Sequence, residues 1–276
     1  MTELRNIKWR QLAHDVLFEK VGRDALLKSH SLQWSLTTAL RKQGMVVLDD
    51  GLEDTVIEYK GLKYKIDLIN YPRIFEAYYR YWIDGLKKDD LVLDVGANIG
   101  SFSVPASARD CRVYAIEPMF GSLLKENLKF NLGDHSSIVV EVAVGPPFAI
   151  KREVDCLEYK KWVTCVNWTD IFTIKTDYTV IRLDCGGEEK SLDLGLLPES
   201  VRQLEVEFHF WDKKDVKIWY EKWAPWLIAH DFGYKARWST RNNWLYLTAS
   251  KELDYSKEVD LIDGSFRGEN LKLWMV

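Results

Sequence analysis

The chain reads as an α/β protein, with a mostly parallel sheet covered by helices on both faces. Three observations point there. From about residue 89, short continuous apolar runs alternate with amphipathic stretches, the pattern of strands buried on both sides by crossover helices. One of these runs, Leu91–Val95, passes straight into a glycine-rich turn. The composition, 47% hydrophobic and 29% charged over 276 residues, is that of a globular chain long enough to bury a sizeable core.

The elements follow in order. Residues 1–70 read as an accessory region, mainly helical with a strand pair. Ile7, Leu12, Val16 and Leu17 form a helical apolar stripe, and Leu26, Leu27, Trp34, Leu36 and Leu40 continue one after Gly22, with Gly44 as a stop. Thr55–Lys60 and Leu62–Leu68 read as strands around Lys60-Gly61. Residues 71–250 form the α/β domain. Pro72 opens a helical segment through Phe75, Tyr78, Tyr79 and Trp82 that ends near Gly85. Strands are expected at Leu91–Val95, Arg112–Ile116, Ile138–Val144, Tyr178–Leu183 and Val201–Phe210, with helices at Ser101–Ala108 and Ser122–Phe130. A further helix runs through Trp219 and Trp223 until Pro225 stops or kinks it. Phe232–Trp238 and Trp244–Thr248 then pair as the last two strands. Residues 251–276 are a polar extension with a late apolar patch at Leu271, Leu273, Trp274 and Val276. No internal repeat or low-complexity segment is present.

Charge and targeting narrow the function classes. The chain has 38 Lys+Arg against 42 Asp+Glu, a net charge of −4, which disfavours a general nucleic-acid binder. No apolar run approaches the ~18 residues of a membrane span. The opening MTELRNIKWR lacks the apolar centre of a signal peptide, so a cytoplasmic protein without membrane contact is expected. Cys111, Cys156, Cys165 and Cys185 make no CxxC pair and read as structural thiols.

The chemistry concentrates in LVLDVGANIGSFS, Leu91–Ser103. Ligands of open parallel sheets bind beyond the carboxyl ends of the strands. Gly96 allows close backbone approach, Gly100 eases the turn into the helix, and the helix start offers N–H groups to an anion. A dinucleotide site uses GxGxxG, whose second glycine makes room for a pyrophosphate. Here Gly96 and Gly100 stand four apart, with Ala97, Asn98 and Ile99 between, which favours the carboxylate of S-adenosylmethionine (SAM). Glu117, 21 residues after Gly96, ends the next strand before Pro118 and can accept hydrogen bonds from both ribose hydroxyls. The bland alternatives are an acid at a helix start for Glu117, a cap on the glycine turn for Asp94 and a turn residue for Asn98.

These residues resemble the FkbM family of SAM-dependent methyltransferases over roughly residues 89–249. Val92–Ser103 is similar to the family's VLDVGANIGxFS signature. Ile116-Glu117-Pro118, followed by Asn127, Leu128 and Asn131, resembles its acidic motif and helix. Val142-Ala143-Val144-Gly145 resembles its third-strand motif, Arg182–Glu189 its KIDVEGAE segment, and Glu207-Phe208-His209 its E-x-H. Arg182 stands where the family has lysine, and Gly186 where a glutamate usually precedes the glycine. The stretch between Gly145 and the next strand also looks short. The resemblance implies a Rossmann-like methyltransferase fold with a mostly parallel seven-stranded sheet. It implies SAM held by Asp94, Gly96, Ala97, Asn98, Gly100, Ser101, Glu117, Pro118 and Ala143, and an acceptor hydroxyl on a sugar, glycan or secondary metabolite.

At the acceptor end, period two puts Glu207 and His209 on one face of a strand, beside Asp184 at the end of the neighbouring one. His209 is the first choice of general base, because an ordinary imidazole titrates near ~6.5. Asp184 and Glu207 would orient it or the acceptor, and the bland reading is a core histidine with satisfied partners. Asp184, Glu189, Glu207 and His209 can also hold a divalent cation, though no diagnostic spacing assigns a metal. Trp219, Trp223 and Trp226 read as a packed helix face or, alternatively, an aromatic wall for a sugar. Two rivals remain: an RNA (tRNA or rRNA) methyltransferase, kept open by the basic, aromatic amino-terminal region, and a non-catalytic SAM-binding protein, suggested by Gly186. A homo-oligomer is compatible with the sequence.

Overall fold

The structure is a computed structural model. The residues described are 38, 41, 44–50, 55–66, 74, 77, 78, 80–132, 137–146, 151–156, 159–210, 213–239, 244–252 and 258–261. The apolar residues of the helices read between Ile7 and Leu40 and the patch at Leu271–Val276 lie outside them. The chain divides into two compact units, Met1–Tyr71 and Pro72–Val276.

In the first unit three antiparallel strands pair in the order β1 (Val46–Asp50), β2 (Thr55–Tyr59), β3 (Leu62–Ile66). Lys60 and Gly61 take φ of 52° and 77°, as a two-residue hairpin turn requires. β2 alternates buried Thr55, Ile57 and Tyr59 with half-exposed residues, so its pattern was legible. β1 was not, because its outward Val46 and Leu48 break the polar alternation.

The second unit opens its sheet with β4 (Leu91–Val95), whose five residues are all buried. The short helix α1 (Ser103–Ser107) leads to β5 (Arg112–Ile116), and α2 (Gly121–Leu132) leads to β6 (Ile138–Val140). The expected strand Ile138–Val144 is two: β7 (Ala143–Val144) belongs to another sheet. There it pairs with the second strand of a hairpin, β8 (Lys151–Cys156) and β9 (Tyr159–Val166). Helix α3 (Trp168–Ile174) follows, started by a capping box between Asn167 and Asp170. The hairpin and α3 were both missed in the sequence, although Asn167-x-x-Asp170 is a readable start signal.

β10 (Val180–Leu183) and β11 (Gln203–His209) return to the main sheet. Next come α4 (Lys213–Ile218), a π-helical turn Trp219–Trp223 and α5 (Ala224–Ala229). Pro225 therefore does not stop this helix. The wider π turn absorbs the position whose N–H and ring cannot fit an α register. Trp219 and Trp223 are fully buried against Phe208, with ring centroids 6.1 and 4.8 Å away, so they are core and not a sugar wall.

The chain ends its described part with β12 (Gly233–Ser239), β13 (Trp244–Ser250) and β14 (Glu258–Leu261). Among the described residues the main sheet has eight strands in the order β14-β12-β13-β11-β10-β4-β5-β6. The seven-stranded, mostly parallel sheet expected from sequence is corrected to a mixed one. β6, β5, β4, β10 and β11 are parallel, whereas β13 lies antiparallel to both β11 and β12. The link from Ser239 to Trp244 is too short for a crossover, so β12 and β13 can pair only antiparallel. Glu258–Leu261, part of the polar extension, adds the eighth strand beside β12.

One order reversal matters for the site. From β4 the chain moves outward to β5 and β6, then returns to β10 on the other side of β4. The gap between the carboxyl ends of β4 and β10 is thus the topological switch point, where open α/β sheets bind ligands.

The buried edge of β11 carries an unusual carboxyl group. Glu205 is 0% exposed and accepts from Gln203 Nε2 at 2.8 Å and Thr248 Oγ1 at 2.7 Å. Burial raises its pKa from 4.5 to about 8, against the lowering effect of those two hydrogen bonds. A carboxyl whose folded pKa is raised gives its full stability below the unfolded value and loses it as pH climbs through the folded one. Stability should therefore fall by up to ~1.4 kcal/mol per pH unit through this group between about pH 5 and 8. Melting curves of wild type and Glu205→Gln across that range should diverge, the variant being the flatter.

Candidate functional site

The carboxyl end of β4 turns at Gly96, whose φ is 79°. A Cβ there would lie 1.9 Å from the Asp184 carbonyl oxygen, so the glycine serves the close passage of β10 and not an approach to ligand. Gly96 and Ala97 donate to the Ile116 carbonyl at 2.8 and 3.2 Å, locking the turn onto β5. Asn98, at φ 52°, donates its N–H to Glu117 Oε2 at 2.7 Å and accepts the Ile99 N–H on Oδ1 at 2.8 Å. Gly100 donates to Ala97 at 2.9 Å, and its missing Cβ makes room for Leu124 and Val104. The N–H groups from Gly96 to Gly100 are thus spent inside the protein, and the anion cradle expected of this turn is not formed by them.

Glu117 is buried. Its Oε1 accepts from the Met119 and Phe120 N–H groups at 2.6 and 3.0 Å. Burial raises its pKa, and these hydrogen bonds, with that from Asn98, work against the rise. A carboxylate offers about four lone-pair sites, so three bonds leave room for a further donor.

A buried guanidinium forms the floor. Arg182, 3% exposed, donates through Nη1 to Asp94 Oδ1 at 3.0 Å and to the Gly96 carbonyl at 2.7 Å. Through Nη2 it donates to Asp184 Oδ2 at 2.5 Å and to the Tyr81 hydroxyl at 3.1 Å. Asp94 accepts in addition from Ser103 Oγ at 2.6 Å, which ties β4 to the start of α1. Burial raises the Asp94 pKa, with Arg182 and Ser103 opposing. Asp94 is therefore a bracket inside the protein. A lysine, a point donor with three hydrogens, could not reproduce this fork.

Beyond Asp184 stand Glu207 and His209. Glu207, fully buried, accepts on Oε2 from Arg80 Nη1 at 2.9 Å and from the Tyr81 hydroxyl at 3.2 Å. His209 Nε2 lies 3.8 Å from Asp184 Oδ1 and 3.5 Å from Glu207 Oε1, and its Nδ1 lies 3.5 Å from Glu189 Oε1. Glu189 itself accepts the Cys185 N–H. Burial lowers the His209 pKa, but Glu189, Asp184 and Glu207 outweigh it and carry it up to about 9. At neutral pH the ring is then a cation held among carboxylates, which works against the free general base expected from its ordinary pKa. Gly186 and Gly187 take φ of 67° and 102°, so glycine at 186 answers a backbone demand.

One cavity of about 340 Å³ joins these parts. Of the expected cofactor residues, Gly96, Asn98, Ser101, Glu117, Pro118 and Ala143 line it, with Ile116, Val142 and Val144 as an apolar wall. Asp184 and His209 line its far end together with Cys185, Gly186 and Trp244. Asp94, Ala97, Gly100 and Glu207 do not reach it and support those that do. Sequence reasoning missed Arg80 and Tyr81, which arrive from more than a hundred residues away, and Arg152, Glu153 and Val154 of the unrecognised hairpin. No local signal marks the first pair.

No protein-family model and no curated protein sequence matches this chain, so the FkbM likeness rests on the motifs alone. Several solved structures are similar in part. TYW2 of P. horikoshii in complex with MeSAdo has TM-score 0.45 and 16% identity, covering 81% of this chain and 84% of that one. TYW2 of M. jannaschii in complex with AdoMet has TM-score 0.44 and 16% identity, covering 71% and 84%. The M. jannaschii tRNA m1G37 methyltransferase has TM-score 0.42 and 16% identity, covering 71% and 53%. Among the described residues no helix is long and apolar enough to cross a membrane.

The Arg182 fork predicts a stability cost. Arg182→Met leaves Asp94 and Asp184 without their shared cation and should destabilise by ~3–5 kcal/mol, the range for breaking a buried pair. Arg182→Lys should fall between that variant and wild type in chemical denaturation.

Proposed function

We propose that this protein is a SAM-dependent methyltransferase acting on a hydroxyl group of a sugar, glycan or secondary metabolite. The observation that carries the reading is the single cavity that runs from the Gly96–Ser101 turn and Glu117 to Asp184 and His209. The residues fit the cofactor by their chemistry. Glu117 retains acceptor capacity at the cavity wall, Ile116, Val142 and Val144 suit an apolar ring, and the volume lies within the ~300–1,000 Å³ of small-molecule sites. Glu117 would take the ribose, and Asn98, Ser101, Pro118 and Ala143 the neighbouring surfaces. When bound, SAM supplies a methyl group activated on a sulfonium.

The chain's own work is to position the acceptor and ease loss of its proton. Asp184 and His209 line the cavity, and Glu207 lies near the same ring nitrogen as Asp184. Held by Arg182, Asp184 keeps a fixed carboxylate oxygen toward the acceptor side. Arg80 and Tyr81 fix Glu207 in the same way. The three together form the group that receives or stabilises the leaving proton, and His209 serves it as a charged partner of Asp184 and Glu207.

A second reading, an RNA acceptor, has one observation in its favour. The β8–β9 hairpin sets Lys151 and Lys160 on the face of Trp162, which is 68% exposed and pairs with Glu153, while Arg152 and Lys161 lie on the other face, where Arg152 lines the cavity. Basic and aromatic groups together suit single-stranded nucleic acid. The net charge of −4 argued against nucleic acid, but that figure averages over the whole surface and hides this patch.

Four measurements test these readings. Calorimetric titration should detect SAM or S-adenosylhomocysteine and no NAD, and heat from NAD alone would overturn the cofactor. Glu117→Ala should weaken SAM binding by ~1–3 kcal/mol while the protein stays folded. His209→Ala should lower kcat with SAM affinity within a few-fold, whereas a purely structural histidine would lower the melting temperature and leave kcat alone. RNA retained through purification and lost in Trp162→Ala would favour the second reading.

A further inference from the structure

The acceptor end of the cavity carries an arrangement that holding SAM does not itself require. Asp184, Glu207 and His209 each bring one ligand atom toward a common point, and the three atoms lie within 4.8 Å of one another. The other oxygen of each carboxylate is engaged: Asp184 Oδ2 by Arg182, Glu207 Oε2 by Arg80 and Tyr81. The oxygens nearest the imidazole are therefore oriented toward Nε2, at 3.8 Å from Asp184 and 3.5 Å from Glu207. On the opposite side of the ring, Nδ1 lies 3.5 Å from Glu189 Oε1. A carboxylate behind the far nitrogen is the usual outer support of a histidine that ligates a metal, and hydrogen-bonded ligand carboxylates are its counterpart.

An independent observation points the same way. Glu189 is 0% exposed, and its Oε2 is buried with no hydrogen-bond partner. A buried carboxylate with an unspent oxygen calls for positive charge nearby. Asp94, Asp184, Glu189 and Glu207 bring four carboxylates, and among the described residues two guanidinium groups, Arg80 and Arg182, are bonded into this network. With the imidazole neutral, as a metal ligand must be, two negative charges are left to balance.

We infer that Asp184, Glu207 and His209 bind one divalent cation of the Mn²⁺ or Mg²⁺ type, which takes the place of the proton the imidazole otherwise carries, with Glu189, Arg182 and Arg80 holding the ligands in place. Two carboxylate oxygens and one imidazole suit such a cation better than the thiolate-preferring metals. Ligand bonds of about 2.1 Å put neighbouring ligand atoms ~3 Å apart, so the widest separation, at most 4.8 Å, would close by up to ~1.8 Å. Three protein ligands leave coordination positions open toward the cavity. The use of such a cation rests on the methyl-transfer reading: it would lower the pKa of an acceptor hydroxyl bound to it.

The test titrates Mn²⁺ into the full-length protein without SAM or acceptor and follows the free Mn²⁺ signal by electron paramagnetic resonance. The expected result is one equivalent bound, with nitrogen modulation from one imidazole in the spin-echo spectrum of the wild type. Asp184→Asn and His209→Gln should each weaken binding by about tenfold or more, with folding checked by melting curves. Absence of stoichiometric binding up to millimolar Mn²⁺, binding without imidazole modulation, or unchanged affinity in both folded variants would overturn the site. Should Mn²⁺ bind as described while calorimetry finds no SAM binding, the cation site stands and the methyltransferase reading falls.

Discussion

A single buried guanidinium holds together the pieces from which the cavity is built. Arg182 reaches Asp94 at the end of β4, the Gly96 carbonyl in the turn that follows, Asp184 beyond its own strand, and the Tyr81 hydroxyl. Its guanidinium carbon also lies 4.9 Å from the centre of the Tyr81 ring. Taking such a charge out of water is costly, and only a complete set of partners offsets it. The partners come from three separated stretches of chain, so the fork is satisfied only when β4, β10 and the Tyr81 segment are all in place. That makes it a register device as well as an ion pair.

The same junction explains the glycine at 96. β4 and β10 are neighbours because the chain reverses its direction of travel across the sheet there, and their carboxyl ends come very close. The Asp184 carbonyl occupies the space a side chain at 96 would need. A feature read as an accommodation to ligand is an accommodation to the sheet itself, and the cavity lies one step outward, between the turn, Glu117 and the β7 strand. The β8–β9 hairpin borders the same opening through Arg152, which pairs with Glu188 at 2.6 Å and so links the second sheet to the segment after β10.

At the far end, charge is the organising quantity. Three carboxylates surround one imidazole, and each is fixed by a different donor: Arg182, Arg80 or the Cys185 N–H. Trp244 closes the side, its ring 5.1 Å from that of His209. Most other tryptophans of this region serve packing, since Trp219 and Trp223 fill the space under Phe208 and Trp226 stacks on His230 at 4.1 Å. Trp244 comes from β13, which runs antiparallel to both of its neighbours in the main sheet.

The sequence by itself determined the elements whose signals are local. Leu91–Val95 is apolar throughout because it is covered on both faces, Lys60-Gly61 is a turn because both residues take positive φ, and Gly96, Asn98, Glu117, Asp184 and His209 stand at strand ends where a periodic reading puts them. Tertiary structure decided what those residues do. Whether Asp94 meets a ligand or a guanidinium depends on β10 lying beside β4, and no spacing in the chain states that. The protonation of His209 depends on Glu189, Asp184 and Glu207 converging around it, and an imidazole's reference pKa carries no information about neighbours that arrive by folding. Arg80 and Tyr81 join the site across 127 and 126 residues of chain to Glu207. Periodicity reports which face of an element is buried, whereas partner choice is set by packing between elements distant in sequence, and that is why the frame could be read and the wiring of the site could not.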